Sequence, residues 1–267
     1  MADEQTRIPV VLVLAGLDPT GGAGIQADIE AIASMGAHAA PVATAITVQD
    51  TADVVGYTSL SAGLVIQQAR AVLEDIPVAA IKIGMTGSVE ITEAIHTLLN
   101  DYPDLPVVLD PVLMAGGGRA LADESLIAAM KTLLLPQATI ITPNAHEARA
   151  LAPEADTLDA CAMALLGHGA GLVLITGGGE NTADVINILY GNDRMLERYQ
   201  WKRLQGRYHG SGCTLASALA GLLAQGGEPF TATYKAQEYT WQALKHGYPI
   251  GMGQRLPHRF FWADAVN

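Results

Sequence analysis

Ile8-Pro9-Val10-Val11-Leu12-Val13-Leu14-Ala15 is followed by Gly16-Leu17-Asp18-Pro19-Thr20-Gly21-Gly22-Ala23-Gly24 and then by a helical pattern from Ile25 to Met35. An unbroken Val/Leu run is what a strand buried on both faces looks like, and such strands belong to parallel sheets. The unit of apolar strand, polar or glycine-rich loop and helix recurs down the chain. Residues 39–48, 78–83, 106–110, 138–141 and 171–175 read as further strands. Helices over 61–75, 88–100, 123–135 and 156–166, and one opening at Pro143-Asn144-Ala145-His146-Glu147, alternate with them. After Ile175 the rhythm changes. Residues 185–190 and 195–204 form an antiparallel pair turning at Gly191-Asn192-Asp193,. Helices over 211–224 and 230–245 close the pattern. No linker, charge run or repeat interrupts it. The expected fold class is therefore α/β: a doubly wound, mostly parallel sheet with an antiparallel edge and helices on both faces, as one domain over residues 1–267.

Composition narrows the function classes. Half of the 267 residues are hydrophobic and 16% are charged, which suits one large buried core,. The formal net charge of -12 argues against nucleic acid, whose phosphate backbone needs a basic face,. It leaves room for a small phosphorylated ligand held by backbone N–H groups and a cation. Residues 1–7 are polar with no signal-peptide core, and no apolar run is long enough to span a membrane,. The two cysteines, Cys161 and Cys213, suggest neither a disulfide framework nor a zinc site, so the cytoplasm is expected,.

In doubly wound sheets ligands bind beyond the carboxyl ends of the strands. The loops there, at 16–24, 49–51, 84–87, 111–118, 142–147 and 176–181, hold most of the glycines and unusual polar residues. A second loop-to-helix stretch is Tyr208-His209-Gly210-Ser211-Gly212-Cys213-Thr214-Leu215-Ala216-Ser217-Ala218. Gly210 and Gly212 permit backbone angles that let successive N–H groups converge at the positive end of a new helix, an anion cradle. Cys213, in the first turn, would have its pKa lowered by the helix field and could act as base or nucleophile. Small residues before a helix also serve a close-packed turn, and cysteine is often simply buried; Cys161, amid alanines, reads as core. No G-x-x-x-x-G-K-[ST], G-x-S-x-G or H-E-x-x-H occurs. Gly22-Ala23-Gly24-Ile25-Gln26-Ala27 fits the dinucleotide fingerprint, but a stretch including Pro19 separates it from the strand end, where a Rossmann turn is tighter,.

Gln49 ends a strand and offers a donor and an acceptor, suited to the edge of an aminopyrimidine. Asp18 ends another, where an Asx-turn is the alternative role. Asp110 ends the strand Pro106-Val107-Val108-Leu109-Asp110, and Asn144 and Glu147 flank a helix start. Carboxylates so placed suit magnesium, while N-x-x-E is equally a capping box that satisfies the helix N–H groups unaided.

Taken in order, Gly16-x-Asp18-Pro19-x-Gly21-Gly22-Ala23-Gly24-Ile25-Gln26-Ala27-Asp28, Thr44-Ala45-x-Thr47-Val48-Gln49-Asp50-Thr51, Lys82-Ile83-Gly84-Met85, Val108-Leu109-Asp110-Pro111-Val112, Thr142-Pro143-Asn144-x-x-Glu147-Ala148 and His209-Gly210-Ser211-Gly212-Cys213-Thr214-Leu215 resemble the hydroxymethylpyrimidine/phosphomethylpyrimidine kinases of the thiamin pathway, in the ribokinase-like superfamily. The resemblance runs from about residue 9 to 246, and residues 251–260 look like a worn version of the family's tail. It implies a three-layer αβα ribokinase-like fold without a large lid domain. It implies an enzyme using ATP and Mg2+ to phosphorylate 4-amino-5-hydroxymethyl-2-methylpyrimidine and then its monophosphate. Carried over by motif, Gln49 would read the pyrimidine in a pocket lined by Gly16, Asp18, Met85 and Val112. Gly210, Ser211, Gly212 and Cys213 would form the anion hole, with Cys213 in the place of the catalytic base, where most of the superfamily has Asp. Asn144 and Glu147 would serve metal and phosphates, with Asp110 and Glu147 as metal ligands. ATP would lie over Thr176 and Gly178.

The departures are Thr176-Gly177-Gly178-Gly179, where many relatives have Lys-Gly-Gly-His, Asn187, where Asp is common, and Leu17, where the substrate loop usually has a small or polar residue. The resemblance also implies a homodimer, while the net charge and the absence of a long apolar run argue against a nucleic-acid or membrane partner. Residues 111–121, with three glycines in a row, are the expected cover over the substrate. The alternatives are a pyridoxal kinase on the same scaffold and a non-catalytic pyrimidine sensor.

Overall fold

The computed structural model describes residues 8–177 and 180–263. Among them, nine strands form one sheet in the order β3-β2-β1-β4-β5-β6-β7-β8-β9. The elements run β1 (Val10–Leu17), α1 (Gly24–Ser34), β2 (His38–Gln49), β3 (Val54–Ser59), α2 (Ala62–Asp75), β4 (Val78–Ile83), α3 (Val89–Asn100), β5 (Val107–Leu109), α4 (Glu124–Ala129), β6 (Ile140–Ile141), α5 (Ala145–Leu151), α6 (Leu158–Gly167), β7 (Leu172–Ile175), β8 (Asp184–Gly191), β9 (Arg194–Lys202), α7 (Ser211–Ala224) and α8 (Pro229–Lys245).

The alternation of side chains along β1 explains the three layers. Leu12 and Leu14 face one core, packed with Val65, Ile91, Ile95, Leu126, Leu151 and Leu165 of α2 to α6. Val11, Val13 and Ala15 face the other, with Ile32, Leu219, Leu223 and Ala236 of α1, α7 and α8. A strand whose two faces are both buried has no polar side to show, so its sequence is apolar throughout. β1 pairs in parallel with β2 and β4, and β4 to β7 continue in parallel.

Two features differ from the expectation. The sheet has an antiparallel strand at both ends, not one: β8 and β9 at the far edge, as expected, and also β3 against β2. β3 carries Gly56 in its interior and is mostly exposed, so it lacks the apolar run by which a buried strand is recognised,. The helix expected over 123–135 is α4 followed by a π turn at Met130–Leu134 and a 3-10 turn at Leu135–Gln137. Pro136 in that last turn cannot donate to an α-helical ladder, and the hydrogen-bond pattern shifts around it,.

Candidate active site

The expected loops meet at the carboxyl ends of β1, β2, β4, β5, β6 and β7, with the first turns of α1 and α7 pointing among them. Six α-helices start with a side-chain cap, from Ser61, Ser88, Asp123, Asn144, Thr157 and Glu228. α1 and α7 have none: their caps are Ala23 and Gly210. The helix starts left open by side chains are those at the site, where an anion can take their N–H groups. Gly210 adopts the left-handed region at φ 77°. A Cβ there would collide with the Gly22 carbonyl oxygen. Only glycine allows the two loops to interlock this closely.

Asp18 is the hub of the first loop. Its carboxylate accepts hydrogen bonds from the Thr20 N–H at 2.8 Å, the Thr20 hydroxyl at 2.9 Å and the Ala23 N–H at 2.9 Å, and faces His209 Nε2 at 2.8 Å. Burial would raise its pKa, but these hydrogen bonds, led by that to His209, outweigh burial and hold it below the ordinary carboxylate value,. Asp18 thus ties the loop at 16–24 to the loop at 208–213. The Gly22 and Ala23 N–H groups point at Thr20 and Asp18, so this turn does not offer them to a dinucleotide pyrophosphate.

Beneath the anion loop lies a buried charge cluster. Lys82 on β4 is fully buried, with its ammonium 2.9 Å from Asp28 Oδ1 and 3.8 Å from Asp110 Oδ2. Ser217 of α7 donates to the same Asp28 oxygen at 2.6 Å. Burial disfavours the ammonium, yet Asp28, Cys213 and Asp110 outweigh it and raise its pKa. Asp110 is pushed up by burial, with Lys82 pulling the other way.

Cys213 corrects an expectation. Burial first, and then the Asp110 carboxylate, push its thiol well up, and the opposing pull of Lys82 and of a backbone hydrogen bond from Gly24 does not reverse this. Cys161 is core, as expected: it is 0% exposed.

Asn144 and Glu147 form the capping box in full. The His146 and Glu147 N–H groups donate to Asn144 Oδ1 at 2.9 and 3.0 Å, and the Asn144 N–H donates to Glu147 Oε2 at 2.9 Å. The cap does not exhaust the site, because Glu147 is pushed up to about 8 by burial and by the Asp110 carboxylate facing it. Asp110 Oδ2 and Thr142 Oγ1 are buried without a hydrogen-bond partner. Two mutually repelling carboxylates beside orphaned oxygens fit a hard divalent cation. Among the described residues no group of three His, Cys, Asp or Glu could hold a metal. A cation there would find only these one or two carboxylates from the protein and would need other ligands to complete its shell.

On the sheet's other half, Gln49 Nε2 donates to Thr47 Oγ1 at 2.8 Å, and Thr47 donates to the Leu17 carbonyl at 2.8 Å, which fixes the orientation of the Gln49 amide. Met85 and Val112 pack with Ala45, Val54, Ala115 and Leu121 in a small apolar cluster. Gly16 lies against Met85. Leu17 faces away: it is paired with Ile46 and exposed. Residues 113–121 fold over this pocket as a small hairpin, closed by a bridge between Met114 and Ala120. Gln254 holds it there, donating to the Gly116 carbonyl at 2.8 Å. A cavity of about 10 Å³ lies between this hairpin and the β2–β3 turn, lined by residues 49–54 and 115–117 with His209 and Gln254; Gly16, Asp18, Met85 and Val112 do not line it.

A model of the family described as "Phosphomethylpyrimidine kinase" matches residues 18–258. The chain belongs to the phosphomethylpyrimidine kinase family. It is a phosphotransferase. The hydroxymethylpyrimidine/phosphomethylpyrimidine kinase of Streptomyces coelicolor is 39% identical over 251 residues, covering 92% of each chain. The thiamine biosynthesis bifunctional protein ThiED of Geobacter sulfurreducens is 37% identical over 96% of this chain, which spans about half (53%) of that longer protein. Among solved structures, an ADP complex of Bacillus subtilis pyridoxal kinase superposes with a TM-score of 0.87 at 28% identity, covering 98% of this chain and 100% of that one.

At the carboxyl ends of β6 and β7, Thr176 bridges to Asn144, its N–H donating to the Pro143 carbonyl at 2.9 Å. Gly178 lies outside the described residues. Asn187 accepts from the Gly177 N–H at 3.0 Å and donates to Gln237 at 2.9 Å, and Trp201 donates to the same Gln237 oxygen at 3.1 Å. Asn187 therefore braces the Thr176–Gly177 backbone from behind. Sequence reasoning quoted Asp28 and Lys82 within the motifs but assigned them no part. The signal was there: a lysine inside an apolar, doubly buried strand needs a buried partner.

Proposed function

We propose that this kinase transfers the γ-phosphoryl group of ATP to 4-amino-5-hydroxymethyl-2-methylpyrimidine and then to its monophosphate. The observation that carries the reading is the meeting of an uncapped helix start at Gly210–Cys213 with Asp110 and Glu147 in a chain of this family. In the first step the hydroxymethyl oxygen bonds to the γ-phosphorus, the bond to the β–γ bridging oxygen breaks, ADP leaves, and the hydroxyl proton goes to a base. The N–H groups of Ser211, Gly212 and Cys213 face the place where charge gathers on the transferring phosphoryl group. We assign Cys213, by its place in the family motif, the role of that base. Lys82 and the Gly24 N–H are the groups that favour its thiolate, against burial and the Asp110 carboxylate. Mg2+, held by Asp110 and Glu147, would neutralise the triphosphate. Gln49 reads the ring edge, Gly16, Met85 and Val112 pack its faces, and Asp18 holds the loop in place. Thr176 and Asn144 take the nucleotide phosphates.

The likeness to a pyridoxal kinase favours pyridoxal as the second reading. A coupled ATP-consumption assay with magnesium, offering hydroxymethylpyrimidine, its monophosphate and pyridoxal in parallel, separates the two. Turnover of both pyrimidines, with pyridoxal far behind, is expected. Turnover of pyridoxal alone overturns the substrate, and binding without any turnover points to a sensor. We also infer a homodimer in the cytoplasm: Leu17, Ile46 and Val48 put an exposed apolar stripe on one face of the β1–β2 end of the sheet. A monomer by sedimentation equilibrium would refute the dimer.

A further inference from the structure

The chain after α8 returns to the site. Arg259 is only 2% exposed, the largest of the fully buried side chains. Its Nε donates to Thr214 Oγ1 at 3.0 Å, Nη1 to the Gly21 carbonyl at 3.4 Å and to Glu30 Oε2 at 3.0 Å, and Nη2 to the Gly22 carbonyl. Its own carbonyl accepts from the Ser34 and Tyr239 hydroxyls, each at 2.8 Å, so the residue is anchored at both ends.

These bonds converge on the two interlocked loops. In a trans peptide the C=O and N–H point opposite ways. With the Gly21 carbonyl on Arg259, the Gly22 N–H points at Thr20 Oγ1, 3.2 Å away. With the Gly22 carbonyl on Arg259, the Ala23 N–H points at Asp18. Two consecutive peptide planes, otherwise free to turn about glycine, are thus held at both edges. The Gly22 oxygen is also the atom against which Gly210 is packed. On the other side, Thr214, which Arg259 contacts, donates to the Gly210 carbonyl at 2.8 Å. One guanidinium reaches the substrate loop directly and the anion loop through Thr214. A planar fork with several fixed donors suits this task, and a lysine ammonium does not reproduce it.

We propose that Arg259 is a positioning residue for phosphoryl transfer, setting the substrate loop and the anion loop in mutual register. The kinetic part of the inference rests on the kinase reading above. The test pairs turnover with a readout that needs no substrate. In Arg259→Met and Arg259→Lys, amide hydrogen exchange is measured across the whole chain, with thermal melts and steady-state kinetics on hydroxymethylpyrimidine and ATP. In Arg259→Met we expect exchange at Gly22 and Ala23, and at Thr214, whose N–H donates to the Gly210 carbonyl at 2.9 Å, to quicken about tenfold or more while β4 and α3 keep their protection, because local openings are separable from global unfolding,. We expect kcat to fall roughly 10- to 100-fold with both KM values within about threefold, the pattern of misplacement and not of lost ground-state binding. Arg259→Lys should fall between the two. If Arg259→Met does not fold, Arg259→Lys carries the same comparison. Unchanged exchange in both loops, or a uniform loss of protection with kcat of the folded enzyme intact, would overturn the proposal. A failure of the substrate reading shows separately, as a wild-type enzyme that turns over no pyrimidine while the exchange arm still answers.

Discussion

Removing the buried ammonium of Lys82 is the sharpest test of how the site is held together. Lys82→Met keeps most of the side-chain volume, so the cavity contribution is small. It leaves Asp28 and Asp110, carboxylates that are 0% and 4% exposed, without the cation at 2.9 and 3.8 Å from them. Breaking a buried pair from one side costs about 3–5 kcal/mol. At about 2–4 °C per kcal/mol for a chain near this size, the melting temperature falls by roughly 6–20 °C. The sign with pH is specific. Without Lys82, burial raises the Asp110 carboxyl further above its unfolded value,. A carboxyl raised on folding contributes most below its unfolded pKa and loses stability as pH rises through the window between the two. The variant should therefore lie closest to wild type near pH 4–5 and furthest from it near pH 8 (window from an unfolded Asp pKa of about 3.9). Adding Asp28→Asn should recover part of the loss, because one of the two stranded charges is gone and the Ser217 hydroxyl still has an acceptor,. The assay is thermal unfolding followed by circular dichroism at pH 5, 6, 7 and 8 for the single and double variants. A melting temperature within about 2 °C of wild type, less than 1 kcal/mol at this size, or a deficit that does not change with pH, refutes the reasoning.

Other consequences can be checked alongside. Cys213→Ala should slow phosphorylation of the hydroxymethyl group much more than that of the monophosphate. The second acceptor is already mostly ionised near pH 7, its second pKa being about 6; equal losses in separate assays of the two steps would remove the base role. Glu147, raised to about 8 from an ordinary 4.5, contributes stability that is full below 4.5 and lost as pH rises toward 8. Metal-free enzyme should lose stability across that window, and Glu147→Gln should flatten the profile in pH-dependent melts. Over the same window Mg2+ affinity by titration calorimetry should increase with pH, since the carboxyl must give up its proton to bind. Gly210→Ala should abolish turnover and destabilise the protein by roughly 1–3 kcal/mol, because it combines a left-handed backbone with a collision against the Gly22 carbonyl,. An active, equally stable variant would show the loops to be less tightly interlocked.

Much of this was legible residue by residue. The apolar run of β1 announced a doubly buried strand. Ser61, Ser88 and Asp123 marked helix starts and became caps. The N-x-x-E at Asn144 was readable as a capping box and is one. What was missed has a common cause. β3 is exposed and interrupted by Gly56, so its strand character comes from pairing with β2 and not from its own pattern,. Lys82 and Asp28 stand 54 positions apart, and Arg259 stands 237 from the carbonyl of Gly22 that it holds; no local periodicity connects such partners. The thiol of Cys213 shows the limit most directly, because the helix start that argued for a lowered pKa is present. Burial and Asp110, which arrives on a different strand, push it up.

By itself, then, the sequence determined the alternation of strand and helix, the helix caps, the glycines at the loops and the family to which they belong, because short-range sterics and hydrophobic periodicity act over a few residues. Only the tertiary structure decided which charges are buried together, which way each pKa moves, and that the tail's Arg259 closes the back of the site. Desolvation and Coulomb energy depend on distance in space, and the chain sets those distances only once it is folded.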